Sequence, residues 1–441
     1  MSKTKIVTTD LPKRTEERHL VLSSDYKKFL EQNLELKQFS DNNLVQTIYF
    51  SNDDHFVPFL LTLKIRRYLP VESKRSIFSF SGKWFFDIKE RRNEKRYKVR
   101  TEATLQEALN TINKKYAENK VPLRPFFMIT YERVNYIFQD KKASYTRFSI
   151  DTNVKYYYFE STDKIPKLIG VEPYTRLEIK SRNCSEKTKK LINSFLSNYK
   201  TVPTISKKGQ AYNLLCRYLY KNYGTKIYKE LNDCEIELKI ECKSDEIFPL
   251  LFRAFKSGKY AYKISDIFPY IFESSSVNCY YKKGKGTFKV LLLPDTMSIV
   301  VKGKAEVCNN SEGLRCILKR SETKQNFERI QPELFIKSKL EGQLSRYRKA
   351  FWVENPCTRR IYHISLDMCL EFEKMLSEIE VEYTGRHVKS TAKEINEQEI
   401  IDDIAKITKI VLSLSNSLKE STLTKHNWIR GITKQDINHY S

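Results

Sequence analysis

"DCEIELKIEC", residues 233 to 242, places Glu235, Glu237, Lys239 and Glu241 on one side of an extended chain and Ile236, Leu238 and Ile240 on the other. This period of two requires a strand. The same alternation of ionised and apolar residues recurs throughout the chain. In the first half Lys64 and Arg66 alternate in "LKIRRY", Asp87 and Lys89 in "FDIKER", and Lys98 and Arg100 in "YKVR". Arg147, Ser149 and Asp151 follow in "RFSID", then Arg176, Glu178, Lys180 and Arg182 in "RLEIKSR". The second half has Lys302 and Lys304 in "VKGKAE", Arg315 and Lys319 in "LRCILKR", and Arg346 and Arg348 in "SRYRK". His363 and Asp367 sit in "YHISLD", and Glu378, Glu380 and Glu382 in "SEIEVEY".

Half-exposed antiparallel sheets alternate polar with apolar residues, so the period alone is compatible with a solvated face. Solvated strands, however, are rich in Thr, Ser and Gln, whereas these faces are nearly all ionised. A sheet closed into a barrel with this face inward would enclose carboxylates beside lysines and arginines. Such packing is costly without a ligand that answers both signs. A triphosphate with bound Mg²⁺ or Mn²⁺ is such a ligand, since carboxylates suit hard cations and Lys and Arg suit phosphate oxygens. Backbone cradles are missing: "GKGT" at 284 to 287 lacks P-loop spacing and no GxGxxG occurs. Side chains must then hold the phosphates.

The 441 residues suggest about two to three domains, and the net charge of +25 implies an acidic partner such as nucleic acid, nucleotide or polyphosphate. A hydrophobic content of 40% marks a folded chain. All nine cysteines lie at or after Cys184 without CxxC spacing, which reads as reduced thiols in a cytoplasmic protein. The N-terminus has no apolar signal-peptide core, and runs such as "VLLLP" are too short to cross a bilayer. Strands with helical intervals, one opening on a Thr cap in "TLQEALNTINKKYAE", continue to about residue 180; a helix at 185 to 199, the polar loop "TVPTISKKGQ" and a helix "AYNLLCRYLYKNYG" ending at Gly224 follow. The order of strands and helices appears twice. It divides the chain into a domain at 11–200, a helical linker at 201–228 and a second domain at 229–441 with a C-terminal helix.

These patterns resemble the triphosphate tunnel metalloenzyme superfamily. The second half looks like a CYTH-type domain: "EIELK" matches its opening ExExK strand, "RYRKAFWVE" its KxR strand, "HISLD" the following acidic strand and "EIEVEY" the closing one. The first half resembles the VTC domain of polyphosphate polymerases through "RTEERHLVL", "TIYFSNDD", "LKIRRY", "FDIKER", "LRPFFMITYERVNY", "RFSID" and "RLEIK". Two departures are Asn198 in "LSNY", where that family has a lysine, and Asp87 in place of a glutamate.

The resemblance implies an α+β fold of two tandem eight-stranded antiparallel β-barrels, each a triphosphate tunnel, with flanking helices. Glu178, Glu235, Glu237, Glu378 and Glu380 would be the catalytic, metal-holding carboxylates for Mg²⁺ or Mn²⁺. Phosphates would be held by Arg18, Lys64, Arg66, Lys89, Lys98, Arg100, Arg133, Arg147 and Lys180 in the first half. In the second, Lys239, Lys302, Lys304, Arg315, Lys319, Arg346 and Arg348 would hold them. The implied function is metal-dependent phosphoryl transfer on nucleoside triphosphate or inorganic polyphosphate, polymerase-like in the first domain and triphosphatase-like in the second. The RNA 5′ end is a further possible partner. The alternative is a non-catalytic protein that binds or senses polyphosphate or RNA 5′-triphosphate.

Overall fold

A computed structural model describes residues 5–7, 14–23, 37–52, 57, 59, 61–72, 77–92, 95–116, 122–141, 144–161, 164–182, 185–221, 226–244, 246–283, 286–335, 337–371, 374–390 and 396–440. The spacing of "DYKKFLEQNL" (25–34) predicts a helix that lies outside the described residues. The chain forms two compact units, residues 1–52 with 59–215 and residues 53–58 with 216–441.

The first unit is built on eight strands, β1 (Arg14–Val21), β2 (Lys37–Ser51), β3 (Leu61–Pro70), β4 (Trp84–Arg92), β5 (Lys95–Ala103), β6 (Arg124–Lys141), β7 (Ser144–Tyr158) and β8 (Thr175–Arg182). They run antiparallel in the order β5-β4-β3-β2-β6-β7-β8-β1. Short strands at Lys5–Val7 and Thr201–Pro203 extend the two edges, so among the described residues this sheet is one open path. It is curled. Lys64 on β3 feels the charge of Glu178 on β8, four strands away, where a flat sheet would separate them by about 19 Å. Helix α1 (Leu105–Tyr116) opens on the expected cap: Glu107 N–H donates to Thr104 Oγ1 at 3.2 Å and Thr104 N–H to Glu107 Oε2 at 2.7 Å. Helix α2 (Glu186–Asn198) covers the apolar side of β7 and β8, burying Phe195 and Ile192 against Phe148, Ile150, Leu177 and Ile179. Helix α3 (Lys207–Tyr220) follows.

The second unit contributes β9 (Cys234–Glu241), β10 (Phe272–Lys283), β11 (Gly286–Leu292), β12 (Met297–Lys302), β13 (Leu318–Phe327), β14 (Lys339–Glu354), β15 (Arg360–Glu371) and β16 (Lys374–His387). Their order is β16-β15-β14-β10-β11-β12-β13-β9, and β9 pairs again with β16. The ring closes. It is an eight-stranded antiparallel barrel, and its closure removes the sheet edges that an open path leaves.

Closure settles which face of the alternating strands looks inward. The apolar face points outward and is covered by helices. Leu238, Ile240, Ile379 and Val381 are fully buried, as are Ile400, Ile404 and Ile407 of α5 (Glu397–Ser413), which packs on β9 and β16. Helix α4 (Ile247–Lys256) lays Phe248, Phe252 and Phe255 around Phe351 of β14, with ring centroids 5.5–5.9 Å apart. The ionised face of β9 is therefore the lumen face: Glu237 is 1% exposed and Lys239 5%. A solvated face is excluded for this strand.

Because Phe351 is wholly enclosed by aromatic neighbours, Phe351→Ala should cost about 3–5 kcal/mol through lost burial and the cavity left. Equilibrium denaturation checks this; a loss below about 1 kcal/mol would mean that α4 does not seal the barrel wall.

Candidate active site in the second-unit barrel

Within the barrel, strand register decides which charges meet. Glu235 lies opposite Arg320 on β13, and Glu237 opposite Glu382 on β16. Lys302 of β12 donates to both oxygens of Glu235 at 2.7 and 2.6 Å and lies 3.0 Å from Glu322. Arg320 Nε donates to Glu235 Oε2 at 2.7 Å and its Nη2 to Glu237. A second group forms around β15 and β16. Arg348 of β14 grips Asp367 with two bonds of 2.5 and 2.7 Å and also reaches Glu380, while Arg346 Nη1 is 3.8 Å from Asp367. Lys239 Nζ sits 3.2 Å from Glu380 and 3.7 Å from each of Glu237 and Glu378.

The remaining charges are not balanced locally. Glu382 is pushed up to about 8 by burial and by Glu235, Glu237 and Glu380. Lys289 of β11 is pushed down to about 7 by burial and by Lys302 and Arg346. One side of the lumen thus holds surplus negative charge and another surplus positive charge. His363 also faces inward, 3.9 Å from Glu382; burial and Arg348 lower it to about 3, so its imidazole is neutral. Burial alone would raise Asp367, but Arg348 and Lys425 hold it below the ordinary carboxylate range.

Not every sequence-predicted residue reaches the lumen. Lys319 pairs in register with Ile236, faces outward and binds Glu397 of α5 at 2.7 and 2.8 Å. Lys304 is exposed beyond the end of β12, and Arg315 is exposed before β13 begins. Glu241 is exposed at the end of β9. Arg320, Glu322 and Lys289 were not predicted, although "KRSETK" does alternate Arg320, Glu322 and Lys324. Lys425, also missed, enters from α6 (Lys425–Tyr440) with no alternation to announce it.

The carboxylates predicted to share one metal separate into two groups. Among the described residues, Asp367, Glu378 and Glu380 form the group of three whose ligand atoms lie within 4.8 Å of one another. Cationic side chains already fill it. Glu235, Glu237 and Glu382 present oxygen donors, the kind that suits a hard cation, from facing strands; Lys302 and Arg320 pair with Glu235 and Arg320 with Glu237, while Glu382 is raised by burial and by its acidic neighbours.

In the first unit the charged face is assembled but differently balanced. Arg133 grips Asp151 with bonds of 2.6 and 2.8 Å and reaches Glu178 at 3.3 Å; Lys207, which was not predicted, also binds Asp151. Glu178 also receives Lys180, Arg18 pairs with Glu16, and Arg100 grips Asp87 at 2.6 and 2.9 Å with Lys98 at 3.9 Å. Arg147 lies opposite Lys180 in register, and Arg66 Nε donates to Thr47 at 3.1 Å. Lys64 is buried, and burial together with Arg66 and Lys89 depresses it well below the ordinary lysine value. Lys89 and Asn198 are exposed. The carboxylate expected to hold metal, Glu178, is engaged by Lys180 and Arg133, which hold it well below the ordinary carboxylate range.

No known family profile matches the chain. No curated protein matches it either. Among solved structures, one similar chain is a Bacillus halodurans protein described as a candidate adenylate cyclase, with 13% identity over 44% of this chain and 95% of that one at a TM-score of 0.26. A second is a Hippeastrum protein described as a candidate adenylyl cyclase with a dominant triphosphatase activity, with 12% identity over 46% and 96% at a TM-score of 0.28. A third is the S. pombe RNA triphosphatase, with 11% identity over 54% and 93% at a TM-score of 0.21. None reaches a TM-score of 0.5, so the functional reading rests on the barrel's own residues.

Folded Lys289 loses its proton near pH 7, whereas an unfolded lysine loses it near 10.5, so between these values the unfolded chain holds more protons. This group then makes stability rise with pH by at most about 1.4 kcal/mol per unit. Lys289→Met should be more stable than the parent near neutrality, with the advantage shrinking toward about pH 10. Denaturant titrations of both proteins across that window check it; an advantage that does not change with pH would contradict it.

Proposed function

We propose that the second-unit barrel is a divalent-cation-dependent phosphohydrolase acting on triphosphates. The observation that carries this reading is the polarity of the lumen: acidic neighbours raise Glu382 and basic neighbours lower Lys289, both half-buried. A triphosphate bound with Mg²⁺ or Mn²⁺ relieves both at once. Glu235, Glu237 and Glu382 would hold the cation, which supplies charge neutralisation and polarises the phosphoryl group. Lys289, Lys302 and Arg346 would hold phosphate oxygens and stabilise charge on the transferring group. A water attacks the terminal phosphorus and gives its proton to solvent as the new P–O bond forms. The bond to the bridging oxygen then breaks, and the shortened phosphate chain leaves. Nucleoside triphosphate, tripolyphosphate and an RNA 5′-triphosphate share the chemistry recognised.

For the first unit we read a basic face that holds a polyanion such as inorganic polyphosphate. Transfer of a nucleotide γ-phosphate to a polyphosphate chain, which the VTC resemblance implies, asks Glu178 to hold a metal. Lys180 and Arg133 engage that carboxylate and hold it well below the ordinary carboxylate range, with no raised carboxylate among the described residues beside it to match Glu382. Buried Lys64 and its neighbours Arg66 and Lys89 favour the binding alternative for this half.

Glu237→Gln should lower kcat/KM for phosphate release from ATP or tripolyphosphate by about 100-fold or more. Lys289→Met should lower kcat/KM by about 100-fold through the lost phosphate contact. Polyphosphate retention should persist in EDTA and weaken with salt. Parent protein that releases no phosphate from any of the three triphosphates with Mg²⁺ or Mn²⁺ overturns the hydrolase reading and leaves the binder.

A further inference from the structure

The acidic group at Asp367, Glu378 and Glu380 has the composition of a divalent-cation site, yet a side chain stands in its centre. Lys425 Nζ lies 2.9 Å from Asp367 Oδ2 and 2.8 Å from Glu380 Oε1, and also donates to Glu378. It is 8% exposed and is supplied by a helix and not by a barrel strand, as the first residue of α6. Three carboxylates around one ammonium satisfy its three N–H donors.

The rest of α6 is built to deliver that ammonium. Thr424 caps the helix, its Oγ1 accepting from Asn427 N–H at 3.1 Å, which aims the positive end of the helix at the carboxylates. His426 stacks on Tyr280 with centroids 5.2 Å apart and binds Glu341 at 2.9 Å. Ile429 packs with Tyr280, Leu344 and Cys369. It lies so close to Gly342 that a Cβ there would stand 1.9 Å from Ile429 Cγ2, so glycine is what allows the helix this near β14. Charge and shape agree on one position for Lys425.

We infer that Lys425 is a resident cation that takes the place of a metal ion among Asp367, Glu378 and Glu380 and so excludes divalent cations from that group. Two consequences follow from the chemistry. The group is satisfied without metal, which confines the metal to the other carboxylates of the lumen. Withdrawal of α6, or loss of its lysine, exposes a three-carboxylate site for a hard cation.

The test counts Mn²⁺ ions bound to full-length protein by electron paramagnetic resonance, with no phosphate present. Lys425→Met should bind one Mn²⁺ more than the parent, whatever number the parent binds. Its melting temperature should fall below the parent's without Mn²⁺ and recover with it. Lys425→Arg should keep the parent's count, and the double variant Lys425→Met/Glu378→Gln should lose the added ion. Gly342→Leu, which alters no charge but pries α6 from β14, should also gain one ion. Equal counts in the parent and Lys425→Met, or a Lys425→Met protein that stays unfolded in Mn²⁺, overturns the inference. A parent that binds no Mn²⁺ sinks the metal-dependent reading of the barrel without touching this one, which rests on the difference between proteins.

Discussion

Desolvation of charge governs the second unit. Ring closure through the β9–β16 pairing encloses strands whose lumen faces are ionised, and an ionised group out of water must be answered by an opposite charge or change its protonation. Most of the lumen takes the first course, with Arg320 and Lys302 on Glu235, Arg348 on Asp367, and Lys425 on Glu380. Others take the second, His363, Glu382 and Lys289 among them. Glu382 rises to about 8 and Lys289 falls to about 7, and those two positions are where a bound cation and a bound anion would be stabilised. Structure reaches function here through electrostatics: the fold leaves a deficit of each sign in one enclosed space.

The first unit uses the same alternating strands with a different balance. Carboxylates of its charged face, among them Glu16, Asp87, Asp151 and Glu178, are each held by an arginine, while Lys64 is buried beside Arg66 and Lys89. That leaves a positive surplus without its negative counterpart. On the reading proposed, an anion would bind such a face without help from metal, and one scaffold would separate holding a polyanion from cleaving one.

Much of the barrel was legible in the sequence because a period of two survives in every long strand. "EIELK" gave Glu235, Glu237 and Lys239 their common face, and "EIEVEY" gave the opposing one. The failures have definite causes. Arg315 and Lys319 were assigned to one strand face, but β13 begins only at Leu318, after an irregular segment with Gly313 at φ +67°. A shift of one residue turns every side chain to the other face, so Lys319 points out and Arg320 points in. Lys425 was beyond reach, since its three partners lie 45 or more positions earlier in the chain and nothing local marks it. Closure itself was an inference from resemblance: pairing of β9 with β16 joins residues 237 and 382, and no local pattern encodes it.

The central claim is that the closed barrel binds a triphosphate and a divalent cation at opposite poles of one lumen. Diffraction from crystals grown with Mn²⁺ and a non-hydrolysable triphosphate, recorded at the manganese absorption edge, tests it most directly. The account predicts an anomalous peak among Glu235, Glu237 and Glu382, with phosphate density on Lys289, Lys302 and Arg346. A lumen free of both, or manganese bound among Asp367, Glu378 and Glu380 with Lys425 still in place, would contradict it.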